Sequence, residues 1–265
     1  MCDSMCFAQT VFRQSSAMAV VVPASPKQKD NPMNELLWVG MLLANFAAIL
    51  LAYRLYGRLG LYIWIPISTI VANIQVVKAV TLFGMDATLG NIVYATSFLV
   101  TDILSENYGR KEATRAVGIG FFALLTMTGL MSLALRFAPS DADFAQESLS
   151  TIFGFMPRIA AGSLIAYLVS QLHDVWAFQF WKRRKPGTRF LWLRNNASTM
   201  VSQLLDTAIF TTIAFLGVFE SKVFWQIFWS TYLLKWVVAA LDTPFVYLAS
   251  WMHRKGHVPA DDSCS

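Results

Sequence analysis

Seven apolar stretches, each near the length of a bilayer core, constrain this 265-residue chain more than any other feature. A helix needs about 20 mostly apolar residues to cross the hydrocarbon. The stretches lie near Leu36–Tyr53, Leu61–Phe83, Leu89–Tyr108, Ala116–Phe137, Ile159–Trp181, Ala197–Phe219 and Phe224–Trp251. Their apolar runs are continuous. That predicts helices, which satisfy their own backbone groups in lipid, and not barrel strands, which alternate apolar and polar residues. Hydrophobic residues make up 56% and charged residues 14%, against roughly 45–50% and about 25% in soluble domains. So little polar surface cannot cover a soluble core, and it excludes disorder and a disulfide scaffold. The expected fold is all-α: a polytopic membrane bundle of about seven spans.

Orientation follows from Lys and Arg, which accumulate on cytoplasmic loops. With the N-terminus outside, the inner segments hold Arg54, Arg58, Arg110, Lys111, Arg115, the run Lys182 to Lys185, Arg189, Arg194, Arg254 and Lys255. The outer segments hold only Arg13, Lys27, Lys29, Arg136, Arg158 and Lys222, and the loop after the fourth stretch is acidic, with Asp141, Asp143 and Glu147. An odd number of spans, N-out and C-in, fits this alternation. The net charge of +5 then reports topology, with no nucleic acid as direct partner.

Residues 1–34 read as an irregular tail containing Pro23, Pro26 and Pro32; Ala17 to Val22 is too short for a signal-peptide core. Met33 is an alternative start. Cys2, Cys6 and Cys264 lie in the tails and lack the further ligands a metal site needs. Cys264, next to last, does not fit prenylation.

Polar side chains inside the spans carry the functional information, because each is costly in lipid unless it faces protein or water. The second stretch holds Asn73, Gln75 and Lys78; the third holds Asp102 and Glu106, four apart on one helical face. The fifth carries Ser163, Tyr167, Ser170, Gln171 and Asp174, the sixth Thr199, Ser202, Gln203 and Asp206, and the seventh Thr231, Lys235 and Asp242. At 1.5 Å per residue, Asp206 and Lys235 lie roughly 13 and 16 Å deep from opposite sides, both near the midplane. The short loop between their helices makes the two antiparallel neighbours. An Asp206–Lys235 ion pair is expected, acting either as a static lock or as a switch that exchanges partners with solute or proton. Trp181, Trp192, Trp225 and Trp251 read as interfacial anchors. The chain lacks a phosphate loop, a His-Glu-x-x-His zinc motif, a Gly-x-Ser-x-Gly elbow and a regular Arg ladder. Neither an enzyme nor a cofactor is expected. Amides, hydroxyls and carboxylates converging on one bundle suit a small polar solute.

Two blocks resemble the queuosine precursor transporter family, within the vitamin uptake transporter group. The first is Asn73-Ile-Gln-Val-Val-Lys78, Phe83-Gly84 and Phe98-Leu-Val-Thr-Asp102-Ile-Leu-Ser-Glu106-Asn-Tyr108-Gly109. The second is Gln171-Leu-His-Asp174-Val-Trp-Ala-Phe178, Leu191-Trp-Leu-Arg194-Asn-Asn-Ala-Ser198-Thr199, then Ser202-Gln203 and Asp206. The likeness covers roughly residues 60 to 250. It implies import of 7-deazaguanine bases or queuine across the cell inner membrane, for salvage of the tRNA nucleoside queuosine. It also implies a six-helix core over 57–253, like the substrate-binding subunits of energy-coupling-factor importers. An extra N-terminal membrane helix over 35–56 and a cytoplasmic tail over 254–265 complete the expected organisation. The alternative is such a binding subunit dependent on a separate ATPase module. On this reading Asp174 or Asp102 accepts from a guanine-like edge, and Gln203, Asn73 or Gln75 donates to its carbonyl, with Gln171 nearby. Asp206 and Lys235 form the midplane switch, and Lys78, Glu106 and Asp242 are further ion-pair or coupling candidates.

Overall fold

The computed structural model describes residues 32–184 and 191–259. The first helix, α1 (Pro32–Gln75), is broken at Gly57, where φ is 58° and ψ −139°. A side chain disfavours that conformation, so glycine suits it. The chain reverses here. A Cβ placed on Gly60 would lie 2.2 Å from the Ala52 carbonyl oxygen, whereas residues eight apart in a continuous helix are separated by about 12 Å along the axis. The two halves therefore form a helical hairpin. Pro32 opens it, at a position where its missing N–H costs nothing.

The second apolar stretch was expected to stay helical to Phe83. The helix instead stops at Gln75, and the chain forms an antiparallel ribbon of β1 (Ala79–Leu82) and β2 (Met85–Thr88), in register from Ala79 opposite Thr88 to Leu82 opposite Met85. Phe83 and Gly84 make its two-residue turn with φ of 51° and 75°, the positive values that match the twist of paired strands. Short apolar runs do not distinguish strand from helix by pattern, and the β-branched residues Val80 and Thr81 favour the strand. Lys78 consequently leaves the span: it is exposed, and its carbonyl accepts from the Leu89 N–H at 2.9 Å. The start of α1 holds the ribbon. Asn34 donates to the Thr81 carbonyl, Glu35 accepts from the Phe83 N–H, and Trp38 meets the Phe83 ring edge-on at 6.0 Å.

The remaining helices are α2 (Gly90–Asn107), α3 (Arg110–Ala134), α4 (Gln146–Phe153), α5 (Met156–Arg184), α6 (Leu191–Phe215) and α7 (Ser221–Arg254). The short α4, unforeseen in the loop after the fourth stretch, starts where Asp143 accepts from the Ala145 and Gln146 N–H groups. Among the described residues four helical stretches are long and apolar enough to cross a membrane: Pro32–Gln75, Arg110–Ala134, Gln146–Ser170 and Ser221–Arg254, with Met200–Phe215 a shorter apolar helix. Leu36, Leu43, Leu51 and Leu55 of α1, Phe122 and Leu133 of α3, and Trp225, Trp229 and Tyr247 of α7 are exposed. So much outward apolar surface belongs in lipid. This is a helical membrane protein.

Between those outward residues, α1 buries Trp38, Leu42, Phe46, Ile49 and Tyr53, a stripe at helical spacing, against Leu99 and Ile103 of α2 and Ala249 of α7. The 35–56 segment is thus packed into the core. Tyr53, fully buried, ties the end of the bundle near Gly57 together: its hydroxyl meets Tyr108 Oη at 3.3 Å, His253 Nδ1 at 3.1 Å and Asn107 Nδ2 at 3.0 Å. Beside it Glu112 accepts from Tyr62 and lies 3.6 and 3.5 Å from Arg58 and Arg115. Val258 is buried in the same cluster, so the segment after α7 closes over the Gly57 turn. At the ribbon end, Arg158 of α5 donates to the Ile213 and Leu216 carbonyls, supplying partners that the last turn of α6 lacks.

Gly60→Ala should lower thermal stability in detergent by about 1–3 kcal/mol, because backbone on both sides must shift. Gly118→Ala, with nothing within 4 Å of the new methyl, should be neutral or slightly stabilising through helix propensity. Equal melting temperatures for the two variants would contradict the close approach at Gly60.

Candidate functional site

Three cavities follow one another along α2. A narrow cleft of about 30 Å³ is lined by Asn73, Asn91, Tyr94, Ser163, Asp206, Thr231 and Lys235, among others. Asn73, Tyr94 and Ser163 also line a middle cavity of about 330 Å³, together with Ser97, Phe98, Thr101, Ser105, Phe121 and Tyr167. Ser105 then lines an open chamber of about 700 Å³ with Asp102, Glu106, Asn107, Asp242, Ser250, His253 and Arg254. The reason one helix serves all three is periodicity. Asn91, Tyr94, Phe98, Thr101 and Ser105 recur every three or four residues, so they share a face.

The cleft holds the midplane pair. Lys235 Nζ donates to Asp206 Oδ2 at 2.6 Å, and the two residues are only 6% and 7% exposed. Lys235 also reaches Thr207 Oγ1 at 3.4 Å and lies 5.4 Å from the centroid of the Tyr94 ring, close enough for a cation–π attraction. Asn91 Nδ2 donates to Thr231 Oγ1 at 2.8 Å, which joins α2 to α7 beside the pair. Asn73 donates to the Thr69 carbonyl of its own helix at 2.7 Å. A buried ion pair holds together only with close geometry and extra hydrogen bonds, since removing both charges from water is expensive. Thr207 and the Tyr94 ring provide that support. In the middle cavity Tyr94 and Phe98 meet edge-on at 5.5 Å and Phe121 and Tyr167 at 4.8 Å. Ring faces with hydroxyls around them suit a flat polar molecule.

The expected site residues are therefore divided. Asn73, Asp206 and Lys235 come together in the cleft. Asp102, Glu106 and Asp242 line the chamber instead, away from the ion pair. Gln75 and Gln203 line none of the three spaces; each has a buried side-chain oxygen with no hydrogen-bond partner among the described residues. Lys78 is outside the helix and exposed. The Gln171 and Asp174 side chains lie outside the described residues. Asn91, Tyr94, Phe98 and Phe121 were not anticipated. For the three on α2 the signal was present: the stripe on which Thr101 and Ser105 sit extends back to Asn91 at unbroken helical spacing, whereas Phe121 lies on α3. Among the described residues no group of three or more His, Cys, Asp or Glu side chains is arranged to hold a metal ion.

A helical membrane protein with a polar cleft at its centre and a string of spaces leading from it has the anatomy of a solute transporter. Residues 88–249 match the family described as "Putative vitamin uptake transporter". The chain is 47% identical over 232 residues to the "Probable queuosine precursor transporter" of Bacillus subtilis (strain 168), covering 88% of this chain and 99% of that protein. It is 30% identical over 144 residues to the "Queuosine precursor transporter" of Escherichia coli (strain K12), and 28% identical over 155 residues to the Haemophilus influenzae protein named "Probable queuosine precursor transporter". Those two alignments cover 54% and 58% of this chain and 62% of each relative. No solved structure matches it significantly. The chain belongs to the queuosine precursor transporter family of vitamin uptake transporters.

Lys235→Ala leaves Asp206 buried without its partner and should cost about 3–5 kcal/mol of stability. Replacing both residues with neutral ones of similar volume should restore most of it. Thermal unfolding in detergent of the two single variants and the double variant measures the coupling; additive losses would show that the pair does not interact.

Proposed function

We propose that this protein imports queuosine precursors, 7-deazaguanine bases or queuine, across the cell inner membrane for salvage into tRNA. The 47% identity over nearly the whole length of a relative of that name carries the reading. The three spaces, each sharing lining residues with the next, suggest the route. The two halves of α1 with α2, α3, α5, α6 and α7 make seven spans, N-out and C-in. Arg54, Arg58, Arg110, Lys111, Arg115, Arg254 and Lys255 belong to the segments at the Gly57 end, which the positive-inside rule assigns to the cytoplasm. Asp86 and Glu35 lie at the ribbon end.

The base enters the cleft from the ribbon side. Its adjacent ring N–H and exocyclic amine offer two donors to the Asp206 carboxylate, and its carbonyl accepts from Lys235 or Asn91. The solute thus exchanges partners with an ion pair already in place, so neither charge is left bare at the midplane. Tyr94 stacks on the flat ring as it moves into the middle cavity, and the chamber releases it inward.

The test uses a host that makes no precursor and lacks its own importer. Expressing this chain and feeding one precursor at low concentration should restore queuosine in tRNA, seen as a boronate gel shift. Tyr94→Ala should reduce uptake about twofold to thirteenfold, the equivalent of an aromatic contact of roughly 0.5–1.5 kcal/mol, with membrane levels unchanged. No queuosine with any precursor, despite full membrane insertion, would refute the function.

A further inference from the structure

The central cleft accounts for Asp206 and Lys235 but leaves a second set of ionisable groups, around the open chamber, without a role. Asp242 is 4% exposed, on the chamber wall formed by α7. No described residue donates to it or pairs with it. A lone carboxylate buried at this depth is expensive in its charged form. Asp102 of α2 lines the same chamber, on the side where it is exposed, and lies close enough to repel Asp242 electrostatically. Among the described residues no cation forms an ion pair with Asp242. From α2 the facing groups are Asp102 and Glu106; from α7 itself they are Tyr247, His253 and Arg254. His253 Nδ1 is engaged by Tyr53 of α1, and Arg254 makes no ion pair within 4 Å among the described residues. Asp206 of α6 is committed to Lys235, and Asp86 of β2 to Thr81. Asp242 sits seven residues beyond Lys235 on one helix, about 10 Å along its axis. Ser105 belongs to both the middle cavity and the chamber, so the carboxylates stand where the solute route meets the open end.

We propose that Asp242 and Asp102 form a proton-carrying pair that couples inward movement of the solute to inward movement of a proton. Two carboxylates on one chamber, neither in an ion pair among the described residues, are relieved when they share one proton. A water-borne proton forms the O–H bond on Asp242 while the route is open to the outside. That bond breaks to chamber water once the chamber is open to the cytoplasm. No electron is transferred, and one positive charge crosses per cycle. The proposal rests on the import reading above and adds its driving force.

Purified full-length protein in liposomes carrying a trapped pH dye tests it, with the precursor that restores queuosine as solute. Two rates are compared: uptake driven by an inward proton gradient, and counterflow exchange at equal pH. With wild-type protein, adding precursor outside should acidify the lumen, and a gradient of one pH unit should drive about tenfold accumulation per coupled proton. Asp242→Asn should lower the ratio of gradient-driven uptake to counterflow about tenfold and abolish lumen acidification, while Asp242→Glu restores both. Acidification that persists in Asp242→Asn would overturn the proposal, as would wild-type accumulation that follows a sodium gradient and ignores pH. Wild-type counterflow without any gradient response would overturn the coupling alone. Absence of counterflow in the wild type would overturn the import reading and the coupling with it.

Discussion

Hydrocarbon offers no hydrogen bonds, so every polar group that this chain carries into the membrane must find a partner inside the protein or a water-filled space. The arrangement of the molecule follows from that requirement. Backbone groups are absorbed by helices and by one two-stranded ribbon at an end of the bundle. Side chains are sorted by helical periodicity into an outward apolar face and an inward polar stripe. On α1 the inward face is instead an aromatic and aliphatic column from Trp38 to Tyr53, polar only at its end, where the Tyr53 hydroxyl has three neighbours. On α2 it is the column from Asn91 to Ser105 that borders all three cavities.

Two charges at the midplane obey the same rule. Lys235 and Asp206 tolerate burial because they neutralise each other at 2.6 Å with Thr207 and the Tyr94 ring beside them. Such a pair is a poor source of stability compared with apolar packing of equal volume. It lines a narrow cleft that shares Asn73, Tyr94 and Ser163 with the larger middle cavity, the position that the proposed exchange with a ligand uses. The chamber makes the opposite choice: Asp242 is buried with no ion-pair partner among the described residues. A group kept at that cost is a functional-site hypothesis by default, and the proposed proton coupling is the one drawn for it.

Close backbone approach gives the bundle its shape. Gly57 adopts a positive φ, and Gly60 lets the two halves of α1 meet backbone to backbone. Gly90 does the same where α2 starts against the end of α1: a Cβ there would lie 2.2 Å from the Ala72 carbonyl oxygen. These contacts bring Asn73 of α1 and Tyr94 of α2 to the same cavity walls.

Apolar length, charge asymmetry and helical spacing determined from the chain alone that this is a helical membrane protein with polar stripes turned inward. They also made Asp206 and Lys235 neighbours, because two antiparallel helices on a short loop put equal depths side by side. Which stripes face one another depended on tertiary packing. Asp102 and Asp206 look equivalent in the sequence, yet Asp102 of α2 lines the chamber and Asp206 of α6 lines the cleft, because the packing of the two helices sets which space each faces. The run from Val76 to Phe83 was equally apolar as helix or strand. Contacts with Asn34, Glu35 and Trp38, more than 40 residues away in sequence, accompany its folding as a ribbon. Local pattern carries depth and face, while partner identity is a property of the assembled bundle.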